Sequence, residues 1–179
     1  MKLLLPIRHP QLAPITAHIE DGGARYRRLV RRTVAILQEH AADFSVLLLC
    51  PAEEQEAWGE LPNVQWLDDP HGGNIARGVA WAMGQMQPPL VVLRPDLPLL
   101  GAEDLSALLK ATGDVVWIPD RLGRGTHGMI WRAGPRPYVA FGRNDAMRIH
   151  LAACRGPRLY RRGFAWGADQ ASVDDRSEG

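Results

Sequence analysis

The stretch "VVLRPDLPLLGAEDLSALL", Val91–Leu109, decides how this chain is read. An apolar run, Leu90 to Leu93, stops at Arg94-Pro95; a lone carboxylate, Asp96, stands before Leu97-Pro98; after Gly101 an amphipathic helix opens. A short apolar run closed by proline reads as a buried strand. An acid placed where such a strand ends is a poor core residue and has to be solvated, paired or bound to a cation. A hard ion such as Mg²⁺ is commonly held by one or two carboxylates together with substrate phosphates. The plainer reading is a turn or cap acid without a ligand.

Working outward, apolar runs alternate with amphipathic stretches along the whole chain. Strands are expected at 2–7, 44–50, 64–67, 90–93, 115–118, 128–132 and 158–160. Helices are expected at 24–40, 53–58, from Asn74 onward, 103–110 and 145–154. Strands apolar on both faces, separated by helices, form a mainly parallel sheet covered on each side. Ligands gather at the carboxyl ends of such strands. Arg8, Asp96 and Pro119-Asp120 fall there.

Bulk properties narrow the function classes. The 179 residues suit one domain with a real core, expected over 1–170, with an acidic, loose tail at 171–179. An apolar fraction of 46% and a charged fraction of 23% are ordinary for a soluble protein, and a net charge of +1 sets up no whole-protein field for nucleic acid or anionic membrane. The opening MKLLLPIRHP is too short an apolar run for a signal peptide, and no run approaches the ~20 residues that span a bilayer. Cys50 and Cys154 lack metal-ligand spacing and read as small buried thiols in a reducing compartment, so a cytoplasmic location is expected. No G-x-G-x-x-G follows the first strand, so a dinucleotide fold of the usual kind is not expected, and neither a P-loop nor a G-x-S-x-G motif occurs.

Three further stretches carry chemistry or its look-alikes. "PDRLGRGTHGMIW", Pro119–Trp131, has Gly123, Gly125 and Gly128 where the backbone can approach a ligand and a hydroxyl at Thr126; a hairpin loop rich in turn formers is the plainer reading. In "YVAFGRNDAMRIHLAAC", Asn144 or Asp145 suits a helix N-cap, and the free amides there suit an anion. His150, further along that helix, reads as a partly buried packing residue. "ARYRRLVRRTVAIL" has five arginines in eight positions, with Tyr26, Leu29, Val30 and Thr33 inward and the arginines on a solvated face. Arg8 differs, because it follows an apolar strand directly and is aimed at the sheet edge, where it can grip a phosphate or carboxylate.

Taken in order, strand-P-x-[KR], a G-x-N helix, "RPDLPLLGAEDLSALL", a G-T-[NH] loop, "FGRNDAMRIHLAAC" and a closing G-x-D resemble the 2-phospho-L-lactate guanylyltransferase family over nearly the whole chain. The resemblance implies a single-domain, Rossmann-like, three-layer α/β/α nucleotidyltransferase fold with a mainly parallel mixed sheet. It implies transfer of a nucleoside monophosphate from a nucleoside triphosphate, usually GTP, to a small acid such as phospholactate, phosphoenolpyruvate or phosphoglycerate. Pyrophosphate leaves, and the product feeds synthesis of a deazaflavin coenzyme. Asp96 matches the first metal carboxylate and Asp169 the first acid of a closing D-x-D, with Mg²⁺ between them. Arg8 stands where a basic residue touches the acid substrate; Thr126, His127, Gly142, Asn144 and Asp145 fall on the acid pocket; Pro6, Gly73 and Asn74 fall near the nucleoside. Nucleic acid and membrane are not expected partners, and a homodimer is compatible with the chain.

The chain also departs from that family. The basic tract A-K-T-R-L is "APITAHI", Ala13–Ile19, with Arg25 or Arg28 as candidate substitutes for the two lost charges. The G-T-N asparagine is His127, a candidate base if the acceptor is a hydroxyl. The serine after F-G is Asp145, whose carboxylate is expected to repel a phosphorylated acid. The second acid of D-x-D is Ala171. Two alternatives follow: a catalytically degenerate nucleotide- or partner-binding relative, or a sugar-nucleotide-dependent glycosyltransferase. The six tryptophans would suit a structural subunit if they formed an exposed patch, although core packing accounts for most of them.

Overall fold

The computed structural model describes residues 1–8, 21–120, 122–153 and 158–159. Its elements run β1 (Lys2–Pro6), α1 (Gly22–His40), β2 (Ser45–Cys50), α2 (Ala52–Gln55) with a 3-10 turn (Glu56–Trp58), β3 (Gln65–Asp68), α3 (Ile75–Gly84), β4 (Leu90–Leu93), α4 (Ala102–Lys110), β5 (Val115–Pro119), β6 (Thr126–Trp131), α5 (Ala146–Ala153) and β7 (Arg158–Leu159). Each expected strand and helix is present within a few residues of its expected bounds. The expected Cys154 and the 171–179 tail lie outside the described residues, as do Asp169 and the 13–19 tract.

The strands form one sheet in the order β3-β2-β1-β4-β6-β5-β7. β1 pairs in parallel with β2 and β4, and β2 with β3, while β6 runs antiparallel between β4 and β5. The sheet is therefore mixed but mainly parallel. Side-chain alternation divides its two faces. Leu3, Leu5, Leu48, Val91 and Leu93 pack with Tyr26, Val30, Val34 and Leu37 of α1 and with Leu105 and Leu108 of α4. Leu4, Leu47, Leu49, Leu90 and Val92 pack with Val79, Ala82 and Met83 of α3 and Met147 of α5. Two helical layers around one sheet give the three-layer architecture, because strands apolar on both faces can only be buried from both sides.

Local chemistry sets the helix ends. Asn74 caps α3, its side chain accepting from the Arg77 N–H at 3.2 Å. The Asp104 carboxylate accepts from the Gly101 N–H at 3.1 Å, half of a capping box at the start of α4. The arginine face of α1 is more than a solvated surface. Arg27 and Arg31 donate to the carbonyls of Ala57 and Trp58, and Arg32 reaches the carbonyls of Leu97 and Leu100. Helix α1 thereby ties down the Leu97–Leu100 turn that follows Asp96. The long arginine side chains cross the surface to backbone carbonyls of other segments, which a helical-periodicity reading of one segment cannot show.

The described tryptophans pack with the core, Trp66 and Trp81 being partly buried against it, and Trp166 lies outside the described residues. Trp58, Trp117 and Trp131 are buried, and the large exposed apolar residues, Met1, Leu99, Leu122 and Tyr138, are scattered along the chain. Cys50 is a buried free thiol, pushed up to about 12 by its burial. Among the described residues, no helix is long and apolar enough to cross a membrane.

Candidate active site

Chain order runs outward from β1 to β2 and β3, then returns to β4 on the other side of β1. That reversal opens a crevice at the carboxyl ends of β1 and β4, the ordinary ligand site of an open α/β sheet. A cleft of about 530 Å³ lies there, lined among others by Pro6, Arg8, Arg94, Asp96, Asp120, Arg124, Thr126, Gly142 and Asn144. Its size is in the range of small-molecule sites, ~300–1,000 Å³. Five of the residues singled out from sequence for nucleotide or acid binding thus meet in one cleft together with Asp96.

Asp96 is buried at the cleft wall, 6% exposed, and both of its oxygens are engaged. Arg94 Nε donates to Oδ1 at 2.9 Å and Nη2 to Oδ2 at 2.7 Å, a bidentate fork. Burial alone would raise the carboxyl; the Arg94 guanidinium, with a smaller contribution from His127, holds it below its ordinary value. Asp96 is therefore a charged group in the cleft. Tyr26 lies beside it, its hydroxyl accepting from the Arg8 N–H at 3.4 Å, and burial followed by the Asp96 charge pushes the phenol up, so it stays un-ionised.

The loop between β5 and β6 is both a hairpin and a wall of the cleft. Asp120 organises it: Oδ1 accepts from the Arg124 N–H at 2.9 Å and Oδ2 from the Gly125 N–H at 2.7 Å. A Cβ on Gly125 would stand 2.6 Å from Asp120 Oδ2, so only glycine lets the loop close on its own carboxylate. Gly128 answers to packing rather than to a ligand. A Cβ there would lie 2.4 Å from the Val92 carbonyl oxygen, so the glycine is needed for β6 to lie beside β4. At the start of β6, the Thr126 hydroxyl is 2.9 Å from Nδ1 of His150. His150 is fully buried with both ring nitrogens hydrogen-bonded, so it is more than the partly buried packing residue expected.

The segment before α5 corrects two expectations. The Ala146 N–H donates to the Arg143 carbonyl and the Met147 N–H to the Arg124 carbonyl, so these amides at the helix start are not open to an anion. Asp145 does not line the cleft. Its carboxylate accepts from Arg143 and Arg148 at 2.8–3.4 Å, and those hydrogen bonds hold it below its ordinary value. The expected repulsion of a phosphorylated acid is thus neutralised at its source. Gly142, in a left-handed conformation at φ 83°, and Asn144 do line the cleft.

Other candidates fall elsewhere. His127 is 1% exposed inside β6 and does not face the cleft, so it is out of reach as a general base. Gly73 and Asn74 stop short of it, although Ile75, the first residue of α3, lines it. Asp69, missed from sequence, sets their loop: its buried carboxylate accepts from the His71 and Gly73 N–H groups at 3.0 and 3.2 Å, and Gly78 leaves it room. Asp169, the second expected metal ligand, lies outside the described residues, and no group of three His, Cys, Asp or Glu suited to a metal occurs among those described.

Among the described residues, four arginines and two aspartates line the cleft, an excess of positive charge in a protein whose net charge is only +1. Neither Arg25 nor Arg28 contributes; Arg94, Arg124 and Arg143 do. The sequence signal for the last two was their position inside glycine-rich loops, "GRG" and "FGRN", where backbone and guanidinium can share a ligand.

A relative that is 30% identical over 166 residues, covering 84% of this chain and 81% of its own length, is the phosphoenolpyruvate guanylyltransferase of Chloroflexus aggregans (strain MD-66 / DSM 9485). Solved structures of similar fold include a protein assigned as a nucleotide-diphospho-sugar transferase from Desulfovibrio desulfuricans G20, with a TM-score of 0.60, 13% identity, and coverage of 99% of this chain and 88% of that one. Another is Rv0371c of Mycobacterium tuberculosis H37Rv, with a TM-score of 0.56, 14% identity, and coverage of 89% and 85%. The family model of the MobA-like NTP transferase domain matches residues 21–155, more than half of the chain. With the switch-point cleft and this match in agreement, the chain belongs to the MobA-like NTP transferase family.

Proposed function

We propose that this protein is an enzyme that transfers a guanylyl group from GTP to a small phosphorylated acid of the phosphoenolpyruvate or phospholactate kind, releasing pyrophosphate. The observation that carries the reading is the positively charged cleft at the sheet's switch point. Arg8 and Arg124 line it, and among the described residues no carboxylate lies within ion-pair distance of either guanidinium. Two cations without such partners, facing a cleft, suit an anionic ligand. Membership of the family and the guanylyltransferase relative supply the reaction class.

An acid acceptor is already ionised and needs no general base, so the buried position of His127 is no obstacle. Positioning and charge neutralisation do most of the chemistry. Arg8, Thr126 and the Gly142–Asn144 segment would orient the acceptor, and Arg124 would neutralise phosphate charge. If Mg²⁺ is bound, Asp96 would be the carboxylate that holds it, because it lines the cleft in its charged form. When bound, the ion would stabilise charge on the phosphates. By the same resemblance, the product would serve deazaflavin coenzyme synthesis.

The test is pyrophosphate release from GTP and Mg²⁺ with phosphoenolpyruvate, 2-phospholactate or 3-phosphoglycerate, alongside a thermal shift with each nucleoside triphosphate. Release with one acid and GTP supports the reading; no release with any pair rejects it. One observation favours a second reading, a nucleotide binder without turnover: the Arg94 fork occupies the face of Asp96 that a metal would share. That reading expects a GTP-induced thermal shift that is indifferent to Mg²⁺, with no pyrophosphate formed.

A further inference from the structure

We propose that His150 is a positioning residue of the cleft: locked in one tautomer, it donates to Thr126 and so turns the Thr126 hydroxyl proton toward an anionic oxygen of the bound acid. The assignment of that oxygen to an acid substrate rests on the function proposed above; the tautomer lock does not.

The hydrogen bonds leave one arrangement. The Ala140 N–H points at His150 Nε2 from 2.7 Å, and a backbone amide can only donate. Nε2 therefore accepts and carries no proton. In a neutral imidazole the proton then sits on Nδ1, 2.9 Å from Thr126 Oγ1, and Nδ1 donates. The hydroxyl oxygen is thereby the acceptor, and its own proton has to find another partner. Among the described residues the Thr126 hydroxyl has no second one, and Thr126 lines the cleft.

The ring cannot turn to escape this. It is stacked on Trp117 at 3.9 Å between centroids and 5° between planes, with Phe141 edge-on at 5.5 Å. A flipped ring would present carbon to both partners. Burial lowers the pKa of His150 to about 4, so the imidazole stays neutral in neutral solution. The chemical result is a cleft that offers a proton at this point, and so favours a carboxylate or phosphoryl oxygen over a donor group.

Two measurements decide it. Long-range ¹H–¹⁵N correlation on histidine-labelled protein at neutral pH should show His150 with a pyrrole-like Nδ1 and a pyridine-like Nε2; an Nε2-protonated ring or an imidazolium overturns the proposal. Phosphoenolpyruvate is then titrated calorimetrically into the wild type, Thr126→Val, His150→Phe, the double variant and His150→Asn. Each of the first two changes should weaken binding by about 10- to 100-fold, the worth of one hydrogen bond to a charged group. The double variant should bind no more weakly than Thr126→Val alone. His150→Asn, whose amide nitrogen can take the place of Nδ1, should recover most of the affinity. Additive losses, or a His150→Asn defect as large as that of Thr126→Val, would show that His150 does not act through the hydroxyl. If His150→Phe fails to fold, the His150→Asn comparison carries the binding test. If the wild type binds no phosphoenolpyruvate, the acceptor reading falls by itself and the spectrum alone decides the tautomer lock.

Discussion

Replacing Asp96 by asparagine separates the structural role of this carboxylate from its proposed catalytic one. The side chain of Asp96 is 8% exposed and that of its partner Arg94 29%. Removing one member of a fully buried pair costs about 3–5 kcal/mol, because the remaining charge is stranded. Here Arg94 keeps some hydration, and asparagine retains one oxygen for one of the two guanidinium bonds, so about 1–2 kcal/mol is expected at pH 7. For a chain of this size that corresponds to a drop in Tm of about 2–8 °C. The pH dependence has a definite sign. The folded-state pKa of Asp96 lies below its ordinary value. Its contribution is therefore present above the unfolded carboxylate pKa of about 3.9 and is lost as pH falls through the folded one. Urea unfolding of both proteins, stepped from pH 7 downward, should show a gap that holds at neutral pH and closes in acid. A variant as stable as wild type at pH 7, or a gap that persists unchanged into acid, would refute the view that Arg94 stabilises an ionised Asp96.

Gly128→Ala should destabilise by about 1–3 kcal/mol in urea, because the new Cβ meets the Val92 carbonyl at 2.4 Å between two central strands; an unchanged midpoint would mean that β6 lies elsewhere. Arg124→Ala should weaken GTP binding by about 10- to 100-fold by calorimetry while shifting stability by less than about 0.5 kcal/mol, since the guanidinium is exposed at the cleft. Asn74→Ala should cost about 1 kcal/mol in thermal unfolding, the usual loss of an N-cap. The Cys50 thiol should resist a thiol-specific reagent in the native protein and react fully in denaturant, because it is buried and its pKa is about 12.

The sequence by itself determined the layers. Apolar strands without alternation, such as Leu90–Leu93 and Ser45–Cys50, can only be buried on both faces, and the proline and glycine stops around them mark where strands end and ligands gather. Arg8 and Asp96 were legible because each sits at the end of such a strand, Thr126 and Asn144 because of the glycine-rich loop and the helix start they occupy, and Pro6 and Gly142 through the family resemblance. Tertiary structure alone decided what those residues do with one another. Arg94 closes on Asp96, Asp145 is neutralised by Arg143 and Arg148, and His127 turns into the core while His150, a residue the helical pattern marks as packing, reaches Thr126 across 24 positions. Periodicity reports which face of an element is buried, because that depends on local repeat geometry. It carries no information on which buried polar groups meet, because hydrogen-bond partners are chosen by the approach of elements distant in sequence.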